Sequence, residues 1–151
     1  VEMVIAIGRS GDFIAKESAL SHVFGLAIGV DLTRRDRQAE MKAQSRSWEI
    51  AKAFDDSAPI SRITPLSDSQ TPIASKASIG LRVNGKTRQD ACISEMIWSP
   101  AEIIATLSTH YTLHAGDLIY SGTPQGVAAI SIGDSVEATL EGVDGLKFTL
   151  V

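Results

Sequence analysis

Between positions 31 and 52 lie four side chains of complementary chemistry: Asp31, Arg35 and Gln38 in VDLTRRDRQ, then Lys52 in WEIAKAF. If this stretch is helical, spacings of four and three residues set an acid, a guanidinium and an amide on one face. The carboxylate can hold a cation, and the guanidinium fork matches an organic acid. With the amide and the ammonium added, these are the parts of a small-molecule site. The competing reading of a helical Asp-x-x-x-Arg is an intrahelical ion pair worth about 0.2–0.5 kcal/mol.

Three features favour a site. Asp31 follows the apolar run LAIGV, which places it at the end of a strand, where functional side chains gather. Trp48 and Phe54 flank Lys52, so this lysine is expected to be buried and to need an ionic or functional partner. The segment IYSGTPQG, residues 119–126, reads as a strand running into a turn that offers the Thr123 hydroxyl and backbone amides. It is not a nucleotide P-loop, because no Gly-Lys-Ser/Thr follows. Other polar groups read more plainly. His22 has apolar neighbours and is expected to be packed or at a rim. His110 and His114 read as surface residues, and Asp55-Asp56 as a solvated pair at a turn. Cys92 is expected at an inward strand position as inert core.

The elements that must position these groups are mostly β. Residues 1–7 read as an apolar strand carrying one acid, Glu2, followed by a glycine turn at residues 8–11. Residues 16–24 have helical spacing, and residues 26–30 form a short buried strand. The polar run 33–44 reads as an exposed helix with Thr33 as N-cap and Asp36 in its first turn. Between Pro59 and Pro72 the composition is that of a surface loop. Strands at 79–83 and 87–93 flank Asn84-Gly85, the strongest hairpin signal in the chain. Ser99-Pro100 opens an amphipathic helix with Ile103, Ile104 and Leu107 on its apolar side. Strands at 118–120, 135–140 and 146–151 complete an α+β, mostly β domain with three short helices.

Bulk properties narrow the function. The 151 residues suit one domain spanning 1–151 with a real core. A hydrophobic fraction of 44%, with 21% charged residues, is ordinary for a globular protein. A net charge of -4, with scattered bases, argues against a nucleic-acid partner but not against a small acid held by a local Arg and Lys. A single cysteine excludes an internal disulfide and suits a reducing, cytoplasmic setting. No apolar run reaches the roughly 18 residues of a membrane helix, so no membrane partner is expected. The chain opens on a strand without an initiator Met, so a segment is expected to precede Val1.

Taken in order, these motifs resemble the C-terminal catalytic domain of the fumarylacetoacetate hydrolase family, in particular its acylpyruvase, fumarylpyruvate hydrolase-like branch. Residues 1–8 are similar to its E-x-E strand, and FGLAIGVDLTRRDRQ to its G-x-D-x-[ST]-x-R-D-x-Q signature. SWEIAKAFDDSAP is similar to W-x-x-[AG]-K-x-F, and DLIYSGTPQGV to the GTP-x-G loop. The resemblance implies a mixed β-roll, a homodimer, and a Mg²⁺ or Mn²⁺ cofactor ligated by Glu2 and Asp31, oxygen donors suited to a hard cation. It implies that Arg35 and Gln38 hold the substrate, that Lys52 stabilises developing negative charge, and that Thr123 hydrogen-bonds the pyruvoyl end. It also implies that a further glutamate and a water-activating His–Glu pair lie upstream of Val1. A smaller departure is Val127-Ala128-Ala129, where the family loop more often continues with glycine. The implied activity is metal-dependent hydrolysis of an acylpyruvate. The alternatives are oxaloacetate decarboxylation or tautomerisation at the same site, or a non-catalytic chain that binds metal and 2-oxo acids.

Overall fold

Glu2 to Ile7 is apolar but for its first residue, and a strand of that composition must be covered on both faces. In the computed structural model, which describes residues 1–66 and 76–151, it is. β1 (Glu2–Ile7), β2 (Val23–Gly29), β3 (Thr64–Pro65) and β6 (Leu118–Tyr120) form a sheet in the order β3-β2-β1-β6. All six β1 residues are buried. A second sheet has the order β5-β4-β7-β8, from β4 (Ser78–Val83), β5 (Lys86–Cys92), β7 (Ser135–Leu140) and β8 (Leu146–Thr149). Every pairing between these strands is antiparallel. The mostly β, α+β class expected of the sequence is the class observed.

The core lies between the sheets. Period-two alternation puts Met3, Ile5 and Ile7 in one cluster with Leu26, Ile28, Leu81 and Val136, and turns Glu2 to the other face of β1. Two glycines in β2 permit close passage there. A Cβ on Gly29 would lie 2.6 Å from the Tyr120 ring, and one on Gly25 would lie 2.5 Å from the Thr64 carbonyl. The expected hairpin forms at Asn84-Gly85, both with positive φ (51° and 75°), as a two-residue turn between twisted strands requires. The Asn84 side chain also accepts from the Ser135 N–H at 2.9 Å, which ties the hairpin to β7.

The helical expectations need correction. Residues 16–24 give a 3₁₀ turn over Lys16–His22. The helix α1 spans Arg35–Ala43, so Asp31 precedes it and shares no helical face with Arg35. The cause is long-range: the N–H groups of Val30 and Leu32 donate to the carbonyls of Pro59 (3.0 Å) and Ser57 (2.9 Å), holding the chain extended through Asp31. Thr33 is not the N-cap; Arg34 is, and it makes no side-chain cap. α2 is one turn, Glu49–Lys52. The loop expected between Pro59 and Pro72 falls partly outside the described residues.

α3 (Pro100–Ser108) starts as the sequence indicates, with Pro100 in its first turn and a reciprocal capping box between Ser99 and Glu102. Ile104 is fully buried, while Ile103 and Leu107 pack partly buried against the core. Lys16 donates to Glu102 at 2.7 Å, and the Ser99 N–H and hydroxyl donate to it at 2.8 and 2.7 Å. With Lys16 the largest cause, these bonds hold the Glu102 carboxyl at about 2, below its usual 4.5. A depressed carboxylate contributes stability above its unfolded value and loses it as pH falls toward the folded one. Glu102→Gln is therefore expected to lower the urea midpoint at pH 7, and the gap to wild type should close between about pH 4.5 and about pH 2. A gap that is constant with pH would show that the carboxylate is not the stabilising group.

Candidate functional site

The site is built where β6 ends. Beyond Tyr120 the chain keeps the antiparallel register beside β1. The Ser121 N–H donates to the Met3 carbonyl at 3.1 Å, the Gly122 N–H to Glu2 Oε2 at 2.8 Å, and the Thr123 hydroxyl to the Val1 carbonyl at 2.9 Å. Glu2 is thereby carried into the interior, 6% exposed, with a backbone donor at its carboxylate. Burial pushes the Glu2 carboxyl above its usual 4.5. The Gly122 bond opposes the rise, and the negative charge of Asp31 adds to it.

Asp31 lies on the extended segment after β2. Lys52, at the end of α2, donates to its Oδ2 and, at 2.9 Å, to Thr33 Oγ1. The two side chains of this pair are 32% and 35% exposed. Lys52 is thus half-buried, not buried as its aromatic neighbours suggested. Phe54 instead lies under the Arg34 guanidinium at 4.2 Å, and Trp48 under Lys42 at 4.8 Å. Arg35 opens α1, and its Nη1 donates to Oε1 of the buried Gln38 at 2.8 Å.

Glu2, Asp31, Arg35, Lys52 and Thr123 line one cavity of about 410 Å³. Gln38 is not on its wall but is bonded to Arg35. The sequence candidates, drawn from positions 2 to 123, are therefore brought together, with Gln38 behind them. The lining also has apolar members, Leu81, Val83, Val136 and the Val127-Ala128-Ala129 stretch. Among the described residues, no group of three or more His, Cys, Asp or Glu is placed to hold a metal. Three carboxylate residues line the cavity, Glu2, Asp31 and Asp36, and of these the Asp31 charge reaches Glu2.

The remaining candidates stay outside. His22 is packed between Arg9 groups, 2.8 Å from its guanidinium and 2.8 Å from its carbonyl, while His110 and His114 are exposed. Asp55 and Asp56 are solvent-exposed. Cys92 is not core: the inward positions of this segment are Gln89 and Ile93, and Cys92 lines a second cavity. Polar cavity residues that escaped sequence reasoning include Arg34, Asp36, Arg88 and Gln89. A polar residue at an inward strand position was the signal for Gln89.

The chain belongs to the fumarylacetoacetate hydrolase family: the model of its C-terminal domain matches residues 1–151. It is 38% identical over 150 residues to a fumarylpyruvate hydrolase of a Ralstonia species, covering 99% of this chain and 77% of that protein. It is also 38% identical over 148 residues to the mitochondrial oxaloacetate tautomerase of Rattus norvegicus, covering 98% of this chain and 66% of that one. The crystal structure of fumarylpyruvate hydrolase from Pseudomonas aeruginosa, in complex with Mn²⁺ and pyruvate, superposes with a TM-score of 0.93 at 43% identity. That match covers 99% of this chain and 64% of the other. The chain thus spans about two thirds to three quarters of the length of these relatives. Among the described residues, no helix is long and apolar enough to cross a membrane.

Closure of the loop over the cavity depends on Gly126. Its φ is +100°, and a Cβ there would meet the Arg88 carbonyl oxygen at 2.2 Å. Gly126→Ala should therefore cost more than about 1 kcal/mol in urea unfolding, from strained backbone plus the clash. An unchanged midpoint would refute the close approach.

Proposed function

We propose that the cavity binds an acylpyruvate, a 1,3-dicarbonyl acid such as fumarylpyruvate, together with Mg²⁺ or Mn²⁺. The protein then hydrolyses the C–C bond to give pyruvate and a carboxylic acid. One observation carries this: two carboxylates, Glu2 and Asp31, line the same cavity as the cationic Arg35 and Lys52. The donor set fits a hard cation, being carboxylate oxygen. Glu2 supports the fit, because burial and the Asp31 charge both disfavour its ionised form, and a cation would relieve both. The names of the Ralstonia and Pseudomonas relatives, and the Mn²⁺ and pyruvate of the latter, support the same reading.

When bound, the cation supplies Lewis acidity toward the substrate's oxygens. The chain's own residues do the rest. Arg35 presents a planar fork to the substrate carboxylate, and Gln38 holds that fork in place. Water adds to the acyl carbonyl, the C–C bond breaks, and its electron pair passes to the pyruvate fragment as an enolate, which then takes up a proton. Lys52 places a positive charge beside that developing negative charge. The apolar wall of Leu81, Val83 and Val136 suits the uncharged part of the acyl group.

Tautomerisation of oxaloacetate is the second reading, favoured by relatives named oxaloacetate tautomerase at the same 38% identity. The same carboxylate recognition and enolate stabilisation serve it. The proposal includes a homodimer, with Ile97 at 95% and Trp98 at 51% exposure as an apolar surface for a second copy.

The test is turnover by the full-length protein with Mg²⁺ or Mn²⁺, using a panel of acylpyruvates beside oxaloacetate enol. Hydrolysis of an acylpyruvate is the expected result. Turnover of oxaloacetate alone selects the second reading, and turnover of none removes both. Asp31→Ala should abolish metal-dependent turnover in a folded protein, and Arg35→Lys should raise KM by about tenfold or more, because a point charge does not replace the fork. Normal turnover in the first variant removes the metal assignment, and an unchanged KM in the second returns Arg35 to a surface role.

A further inference from the structure

Gln89 is a neutral carboxamide at 5% exposure, projecting from β5 into the wall of the cavity. A buried amide is tolerated only when its donors and acceptor are satisfied. All of them are. Nε2 donates to Thr123 Oγ1 at 2.9 Å and to the Pro124 carbonyl at 2.8 Å, and Oε1 accepts from the Val1 nitrogen at 2.8 Å. The orientation is set by chemistry, since the Pro124 carbonyl can only accept and so must face the nitrogen. One side chain of the second sheet thus pins both the start of β1 and the loop after β6.

Two consequences reach the cavity. Because Thr123 Oγ1 accepts from Gln89, its own proton goes to the Val1 carbonyl, at 2.9 Å. The hydroxyl is fixed in direction by a bond on each side. Gly122, one residue earlier, is the backbone donor to Glu2, so fixing Thr123 and Pro124 also fixes that N–H. Among the described residues the loop has no strand partner beyond β1, and Gly122 and Gly126 both have φ near +100°, where the backbone is intrinsically pliable.

We propose that Gln89 is a positioning residue. It touches no reacting atom, having no donor left for a ligand, and acts through Thr123 and the Gly122 amide to hold the loop against Glu2. The inference rests on the preceding functional reading only where ligand affinity is measured. Two readouts on the full-length protein separate them. In the first, hydrogen exchange of the Gly122, Thr123, Gln125 and Gly126 amides is compared between wild type and Gln89→Met, a variant of similar size without the donors. The expected result is exchange at least about tenfold faster in the loop, with the β4 and β7 amides unchanged. Equal loop exchange overturns the proposal. Should Gln89→Met not fold, Gln89→Asn, which keeps the amide but shortens its reach, gives the same comparison.

In the second, oxalate, a two-carboxylate probe, is titrated with Mn²⁺ present into wild type, Gln89→Met, Thr123→Val and the double variant. Gln89→Met should bind about tenfold more weakly, and the double variant no more weakly than the weaker single. Additive losses would show that Gln89 does not act through Thr123. A lower Tm with loop exchange and oxalate affinity both unchanged would leave Gln89 a core residue only, and would also overturn the proposal. Failure of the wild type itself to bind oxalate counts against the functional reading, while the exchange measurement still decides the role of Gln89.

Discussion

A carboxylate inside the protein governs the rest of this structure. Glu2 opens β1, paired with Gly29 of β2, and its side chain is buried on the cavity wall. Burying an ionised carboxylate without compensation costs several kcal/mol, and one charge-assisted bond from Gly122 offsets only part of that. Burial accordingly raises the pKa of the Glu2 carboxyl above the ordinary value, and the Asp31 charge nearby adds to the rise against the Gly122 bond and the Lys52 charge. A sequence that wanted only stability would place an apolar residue there. Keeping an acid in a strained setting, facing a second acid, makes sense where a positive partner completes the site.

The antiparallel register is what converts this constraint into a site. Tyr120 pairs with Val4, and each further residue of the loop stands beside the next residue back along β1: Ser121 with Met3, Gly122 with Glu2, Thr123 with Val1. The loop therefore extends the β6 register, with one partner, the Glu2 carboxylate at Gly122, a side chain of the cavity. A glycine at 122, with φ +99°, turns its N–H onto a carboxylate where a strand residue would have met a carbonyl. The second sheet then closes the arrangement, through Gln89 from β5 and through the Arg88 carbonyl against Gly126.

How much of this was legible in the sequence follows from the range of each interaction. The Asn84-Gly85 hairpin and the start of α3 at Ser99-Pro100 are decided within four residues, and both formed where the chemistry indicated. The resemblance of the ordered motifs brought Glu2, Asp31, Arg35, Lys52 and Thr123 to one cavity, something no local pattern could do. Local reasoning erred where distant partners intervened. Asp31 left the helix because Ser57 and Pro59 hold its flanking amides. Lys52 turned to Asp31, and its aromatic neighbours stacked with Arg34 and Lys42 instead. Cys92 is a plain error of alternation: from Gln89 onward the register is unbroken, so Gln89, Ala91 and Ile93 share the inward face and Cys92 takes the other.

The ionic side chains Glu2, Asp31, Arg35 and Lys52 on the cavity wall share one property: each is held by part of its bonding capacity. A guanidinium has five N–H donors, and among the described residues the Arg35 side chain spends one, on Gln38. An ammonium has three, and Lys52 spends two, on Asp31 and Thr33. Glu2 engages Oε2 and Asp31 engages Oδ2, each carboxylate keeping a second oxygen. Such groups are oriented before a ligand arrives and still have donors or lone pairs for it, so binding need not pay to order them. Gln89 is the opposite case, with both amide protons and its oxygen committed to Thr123, Pro124 and Val1. The four ionic groups are thus partly committed, while Gln89 and the Thr123 hydroxyl it holds are fully committed.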